Sequence, residues 1–225
     1  MTSLKKLVFL FLLLFLCNGF SEPLTGNGYV LVDAREIRPL PQANEVIEFF
    51  SYSCSHCYVF ETPLKKWQSE NGKQRHITRV HIKRTDNNDL HQRLYFALEK
   101  LGVENDVHMK VFNEIHVQHN KLKTAESIIV FATKLGIDKK MFLESFNSQE
   151  VTSRIKSAQK LIDAYQIRST PTLVISGRYK TGPAYFAKKK SFTEKFASIF
   201  QAEDESAGVA AQHATIDVLR LLSKQ

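Results

Sequence analysis

Two cysteines set two residues apart, Cys54 and Cys57 in the stretch FFSYSCSHCYVFETPL, are the residues of this chain best suited to chemistry. They follow an apolar run and open a segment with helical spacing. Such a pair can clip a metal, hold a structural disulfide or exchange disulfides with other molecules. A sulfur at the amino end of a helix meets unpaired backbone donors and the positive end of the helix dipole, and both favour a thiolate. Cys54 occupies that position, and His56, between the cysteines, adds to the effect by charge or by donating a hydrogen bond. Cys57 lies one turn further in and is expected to be more buried and less ionised. Cys54 would then exchange with a partner's sulfur, and Cys57 would open or close the intramolecular bond.

The other uses of the pair are weaker. A disulfide that closes so short a loop constrains little of the unfolded chain. A closed zinc site needs four ligands, and there is no second cysteine pair. His116 and His119, read as sharing a helical face, are the best histidines to complete one. The third cysteine, Cys17, lies in residues 1–21, which read as a secretory leader: Lys5 and Lys6, an apolar run from Leu7 to Cys17, then Gly19 and Ser21 at the −3 and −1 positions of a cut after Ser21. The run is too short to span a bilayer, which argues against a retained anchor. Bulky Leu16 argues against lipid attachment at Cys17. Cleavage leaves 204 of the 225 residues, with every remaining cysteine in one CxxC.

The formal charge of +8 falls to +6 once Lys5 and Lys6 are removed. The surplus is spread from Lys65 and Lys66 through Lys121 and Lys123 to Lys188, Lys189 and Lys190. It reads as solvated surface and not as a nucleic-acid site.

The elements that must hold the cysteines can be read from periodicity. VIEFF, Val46 to Phe50, suits a buried strand interrupted by Glu48. Cys57, Phe60, Leu64 and Trp67 mark one helical face, with Pro63 expected to kink the helix. HITRVHIK, His76 to Lys83, alternates as a second strand, parallel to the first in a βαβ unit with the CxxC at the carboxyl end of the first strand. Asp89 to Tyr165 is helical in pattern: Thr124 starts one helix, Gly136 stops it and Asp138 caps the next. Strand signals return in PTLVIS, Pro171 to Ser176, followed by a turn at Gly177 and a short RYKT. Gln201 to Gly208 reads as a connector to a last amphipathic helix carrying Val209, Ile216 and Leu219. The chain therefore divides into a leader (1–21), a first α/β part (22–85), a helical insertion (86–165) and a second α/β part (166–225).

The segments EFFSYSCSHCYVFE and IRSTPTLVISGRY together resemble the DsbA family of exported thiol:disulfide oxidoreductases, over nearly the whole mature chain. The resemblance implies a thioredoxin-like fold with an inserted helical subdomain. It implies that Thr170-Pro171 is a cis peptide beside Cys54 that offers backbone groups to an extended substrate. Glu48 becomes the buried acid beneath the site, a proton acceptor for Cys57 with Arg79 placed to pair with it; Glu61 is read as a surface neighbour. Two positions depart from the common family pattern. Ser55 stands where proline is frequent, and Thr170 stands where valine often precedes the cis-proline.

The expected activity is introduction of disulfides into reduced, unfolded exported proteins in a bacterial periplasm. No bound cofactor or metal is implied. A membrane quinone-linked reoxidase of the DsbB type is the implied partner. The rivals are an isomerase or reductase of the same fold and, from another class, a metal carrier or a holdase. A monomer is expected, because only Glu22 to Ala43 was available for a dimerisation region before the first strand read at Val46.

Overall fold

The computed structural model describes residues 28–32, 45–70, 77–83, 89–186 and 205–223. The leader with Cys17, the Lys188–Lys190 triplet and most of Glu22 to Ala43 lie outside the described residues.

Five strands form one sheet in the order β1-β5-β4-β2-β3. β2 (Val46–Phe50) is central and buried along its length, between β3 (Ile77–His81), which is parallel to it, and β4 (Thr172–Ile175), which is antiparallel. β5 (Tyr179–Thr181) returns from β4 as a hairpin. β1 (Tyr29–Leu31) closes the edge by pairing antiparallel with β5. This strand precedes the first one read from the sequence; three residues are too few to establish an alternation, and their pairing comes from a partner about 150 positions away. β1 takes up three residues of the Glu22 to Ala43 stretch read as preceding the first strand.

α1 (Ser55–Glu70) leaves β2 directly and runs through Pro63 without interruption. The insertion consists of α2 (Leu90–Lys100), α3 (Glu104–His116), α4 (Ala125–Lys134), α5 (Lys139–Phe146) and α6 (Gln149–Ala164). Its short helices are fixed by their caps. Thr124 and Ser127 form a reciprocal capping box on α4, and Asp138 accepts from the Met141 N–H at 2.8 Å on α5.

The sheet separates two apolar cores. Val46, Leu173 and Ile175 pack with Phe60, Leu64 and Trp67 of α1 and with Ile216, Leu219 and Leu222 of α7 (Glu205–Leu222). Ile47, Phe49 and Val174 face the insertion and its Phe112, Phe131 and Phe142. Alternation along β2 thus puts Glu48 on the α1 side, opposite Arg79 in the β3 register. α7 begins inside the expected connector, and Val209 is exposed.

Candidate functional site

The reactive pair sits where β2 passes into α1. Cys54 is the residue before the helix, and its carbonyl accepts the first intrahelical bond, from the Tyr58 N–H at 3.1 Å. Its Sγ takes the place of a capping oxygen: the Cys57 backbone N–H donates to it at 3.4 Å. Both thiols are free, and both cysteines are buried, Cys54 at 2% exposure and Cys57 at 0%. The expected difference in burial is therefore small.

The difference in acidity is large. The Cys57 thiol donating toward Cys54 is the main reason the Cys54 thiol is lowered to about 5; burial opposes this, and the Thr170 side chain, the Cys57 N–H and His56 assist. His56 is exposed and contributes least of these. Burial, the hydrogen bond to Cys54 and the Cys54 and Glu48 charges push Cys57 well above the ordinary thiol value. Thr170 acts in two senses. Its carbonyl, 3.5 Å from Cys54 Sγ, can accept only from the protonated thiol, whereas its side chain favours the anion. The Thr170-Pro171 peptide is cis and leads into β4 beside the CxxC.

Gly182 fixes this loop from behind. A Cβ there would lie 2.5 Å from the Pro171 carbonyl oxygen, so only glycine permits the approach.

Beneath the cysteines lies a buried charge network. Arg79 Nε is 3.0 Å from Glu48 Oε2, its Nη2 is 3.1 Å from Glu61, and its Nη1 is 3.6 Å from Glu104. Glu61 is buried at 3% exposure, which corrects its reading as a surface residue. Its other oxygen bonds His108 Nε2 at 2.9 Å, and His108 Nδ1 is 3.1 Å from the Tyr52 hydroxyl. Burial opposes the Glu61 carboxylate, but His108 and Arg79 outweigh it and hold the group below its ordinary value. Glu48 goes the other way. Complete burial and the Glu61 charge overcome Arg79 and raise it to about 8, and its Oε1 has no hydrogen-bond partner. His108 and Glu104 were missed in the sequence, although their i,i+4 spacing on an amphipathic helix was a usable signal.

The histidine pair considered for metal does not share a face. α3 ends at His116, whose Nε2 is 2.8 Å from the Tyr52 carbonyl, and His119 lies beyond it at φ 57°. Among the described residues no cluster of three or more His, Cys, Asp or Glu could hold a metal ion.

A redox-competent CxxC at a strand-to-helix junction, flanked by a cis-proline loop on the neighbouring strand, defines a dithiol protein of thioredoxin-like fold. The profile of the DSBA-like thioredoxin domain matches residues 76–189. The thiol:disulfide interchange protein DsbA of Burkholderia cepacia is 35% identical over 189 residues, covering 81% of this chain and 89% of that protein. Its namesake from Pseudomonas aeruginosa is 36% identical over 155 residues, covering 69% and 74%. The crystal structure of Pseudomonas aeruginosa DsbA superposes with a TM-score of 0.63 at 30% identity, over 82% of this chain and 95% of that one. The chain belongs to the DSBA-like thioredoxin domain family, and its insertion is the helical subdomain expected from the sequence.

Proposed function

We propose that this chain is a periplasmic thiol:disulfide oxidoreductase that gives disulfides to reduced, unfolded exported proteins after losing residues 1–21. The observation that carries the reading is the placement of Cys54 Sγ at the start of α1, where the Cys57 N–H donates to it at 3.4 Å beside the cis Thr170-Pro171 peptide, an arrangement that lowers the Cys54 thiol and leaves Cys57 raised. With the pair oxidised, a substrate thiolate attacks Cys54 Sγ, the Cys54–Cys57 bond breaks, and Cys57 leaves and takes a proton. A second substrate thiolate then attacks its own mixed disulfide sulfur, and Cys54 leaves as a stabilised thiolate. Two electrons pass from the substrate to the pair.

A thiol as basic as Cys57 leaves poorly as an anion, so a proton must reach it. Glu48, raised to about 8 with one oxygen unpartnered, is protonated at neutral pH and can supply it, or accept it when the reaction runs backward. Thr170 and Pro171 present backbone to an extended substrate beside Cys54. His56 supports the thiolate. A membrane quinone-linked reoxidase of the DsbB type would restore the disulfide, as membership of this family suggests. Among the described residues no helix is long and apolar enough to cross a membrane.

The test is transfer of the disulfide from the oxidised chain to a reduced unfolded protein. Transfer should disappear in Cys54→Ser. A Cys54→Ser chain that still promotes recovery of the substrate would replace this reading with a holdase.

A further inference from the structure

Beside the cysteines lies a cavity of about 390 Å³ that the exchange chemistry leaves unused. It opens between Ser51 and Ser53, the end of β3, and the segment Lys121–Lys123. Lys83, Lys121, Lys123 and His81 line it, and among the described residues that line it none is acidic. Lys121 and Lys123 read as solvated surface in the sequence, but the fold gathers them with Lys83 at one opening.

His81 forms part of the cavity wall. It is 1% exposed, and its Nε2 accepts from the Tyr52 backbone N–H at 3.0 Å. That places the ring proton on Nδ1. Nδ1 is itself buried and has no hydrogen-bond partner. Lys121 is held in place. His91 Nε2 lies 3.1 and 3.2 Å from the Lys121 and Leu122 carbonyls, and Lys121 Nζ donates to the Ile115 carbonyl at 3.2 Å with two protons left over.

Sheet order relates this cavity to the substrate. Pro171 enters β4 on one side of β2, and His81 ends β3 on the other. A chain lying against Thr170-Pro171 and crossing Cys54 therefore continues toward the lysines.

We infer that the cavity is a docking subsite for an acidic side chain of the substrate polypeptide, an Asp or Glu near the reacting cysteine, received by Lys83, Lys121 and Lys123. The inference rests on the exchange chemistry assigned above to Cys54. An extended chain advances about 3.3–3.6 Å per residue, so an acid two or three residues from the cysteine reaches about 7–11 Å from it. Cys54 is adjacent in sequence to Ser53 at the cavity mouth, which suits that span.

The test uses the oxidised chain and two-cysteine peptides, with two electrons and two protons passing from peptide to the Cys54–Cys57 pair. Peptides carry Asp two or three residues before, or after, the first cysteine, each compared with its Asn counterpart. At low salt one placement should raise the second-order rate about tenfold, and the other should not. The advantage should shrink above ~0.15 M ionic strength. Lys83→Glu with Lys123→Glu should invert the Asp-to-Asn ratio. Equal rates for Asp and Asn, an equal gain at both placements, or a gain that survives the charge reversal would overturn the subsite. The wild-type series decides by itself if the double variant does not fold. Failure to oxidise the Asn peptides would instead overturn the exchange reading.

Discussion

The Cys57 backbone N–H points at Cys54 Sγ across 3.4 Å, so Cys57 is part of what holds the Cys54 sulfur as an anion. Oxidation removes that anion along with the bond it makes. Reduction is therefore the step that releases stabilisation into this helix terminus, and the pH dependence follows from it.

Cys54 should titrate at about 5 and Cys57 far above it. The sign is that of a depressed acid: its contribution is full above the unfolded thiol value of about 8.5 and is lost as pH falls through the folded value. Reduced chain should gain on oxidised chain by about 1.4 kcal/mol per pH unit between these limits. Urea unfolding of both forms and alkylation rate against pH measure it. Parallel stability curves from pH 5 to 8 would remove the thiolate from the account. Thr170→Val, which deletes the side-chain donor, should move the Cys54 titration upward.

Glu48→Gln should leave the Cys54 titration nearly unchanged and slow the release of mixed disulfides, because it removes the proton partner proposed for Cys57. Since burial raises Glu48 to about 8, its contribution to stability is complete below about 4.5 and declines as pH rises through 8. The variant should lose that decline. Stopped-flow release of a mixed disulfide checks the first effect; unchanged release would leave Glu48 a purely structural acid.

Arg79 is the cation shared by Glu48, Glu61 and Glu104. Arg79→Met should cost about 3–5 kcal/mol at pH 7, because it strands buried carboxylates. Glu61 is held low partly by Arg79, so its support for the fold is present above about 4.5 and lost as pH falls through its depressed value. The gap between wild type and variant should therefore narrow in acid. Equilibrium unfolding at pH 7 and pH 4 measures it; a constant gap would mean that lost packing, not charge, is the cause.

What the sequence showed and what it hid divide along locality. Val46–Phe50, the Cys57–Trp67 face and the Thr124 and Asp138 caps are patterns within a few residues, and each element lies where its pattern put it. Glu61 looked exposed because its partners, Arg79 and His108, come from β3 and α3. β1 is too short to show a period. The start of α7 was hidden by Gly208 and the acids before it, which suit a solvated helix start as well as a loop.

Gly182 was missed for the same reason: its neighbour is Pro171, eleven positions earlier. Gly182→Ala should displace the Pro171 carbonyl and slow reaction with peptide substrates much more than reaction with a small dithiol. The ratio of the two rates is the measurement. An equal loss toward both would place the damage in the cysteines themselves.

The last expectation concerns direction of transfer. Thioredoxin has a thiolate near pKa 7 and a potential near −270 mV, and DsbA, a reference member of this family, about 3.5 and −120 mV. At pH 7 those thiolates stabilise the reduced forms by about 0.4 and 4.8 kcal/mol, so thiolate stability covers roughly 95 of the 150 mV between them. A Cys54 value of about 5 gives about 2.7 kcal/mol, worth roughly 50 mV above thioredoxin. Adding the remaining 55 mV, as a family member, places this chain near about −165 mV, within a window of about −110 to −180 mV. The slope is a second check. Two electrons travel with two protons below pH 5 and with one above it, so the potential should fall by about 59 mV per pH unit in acid and about 30 mV per unit from pH 5 upward. Equilibration with glutathione buffers, followed by separation of the oxidised and reduced chains, yields both. A potential below about −220 mV would make the chain hold its disulfide too tightly to donate it, and would turn the oxidase into a reductase.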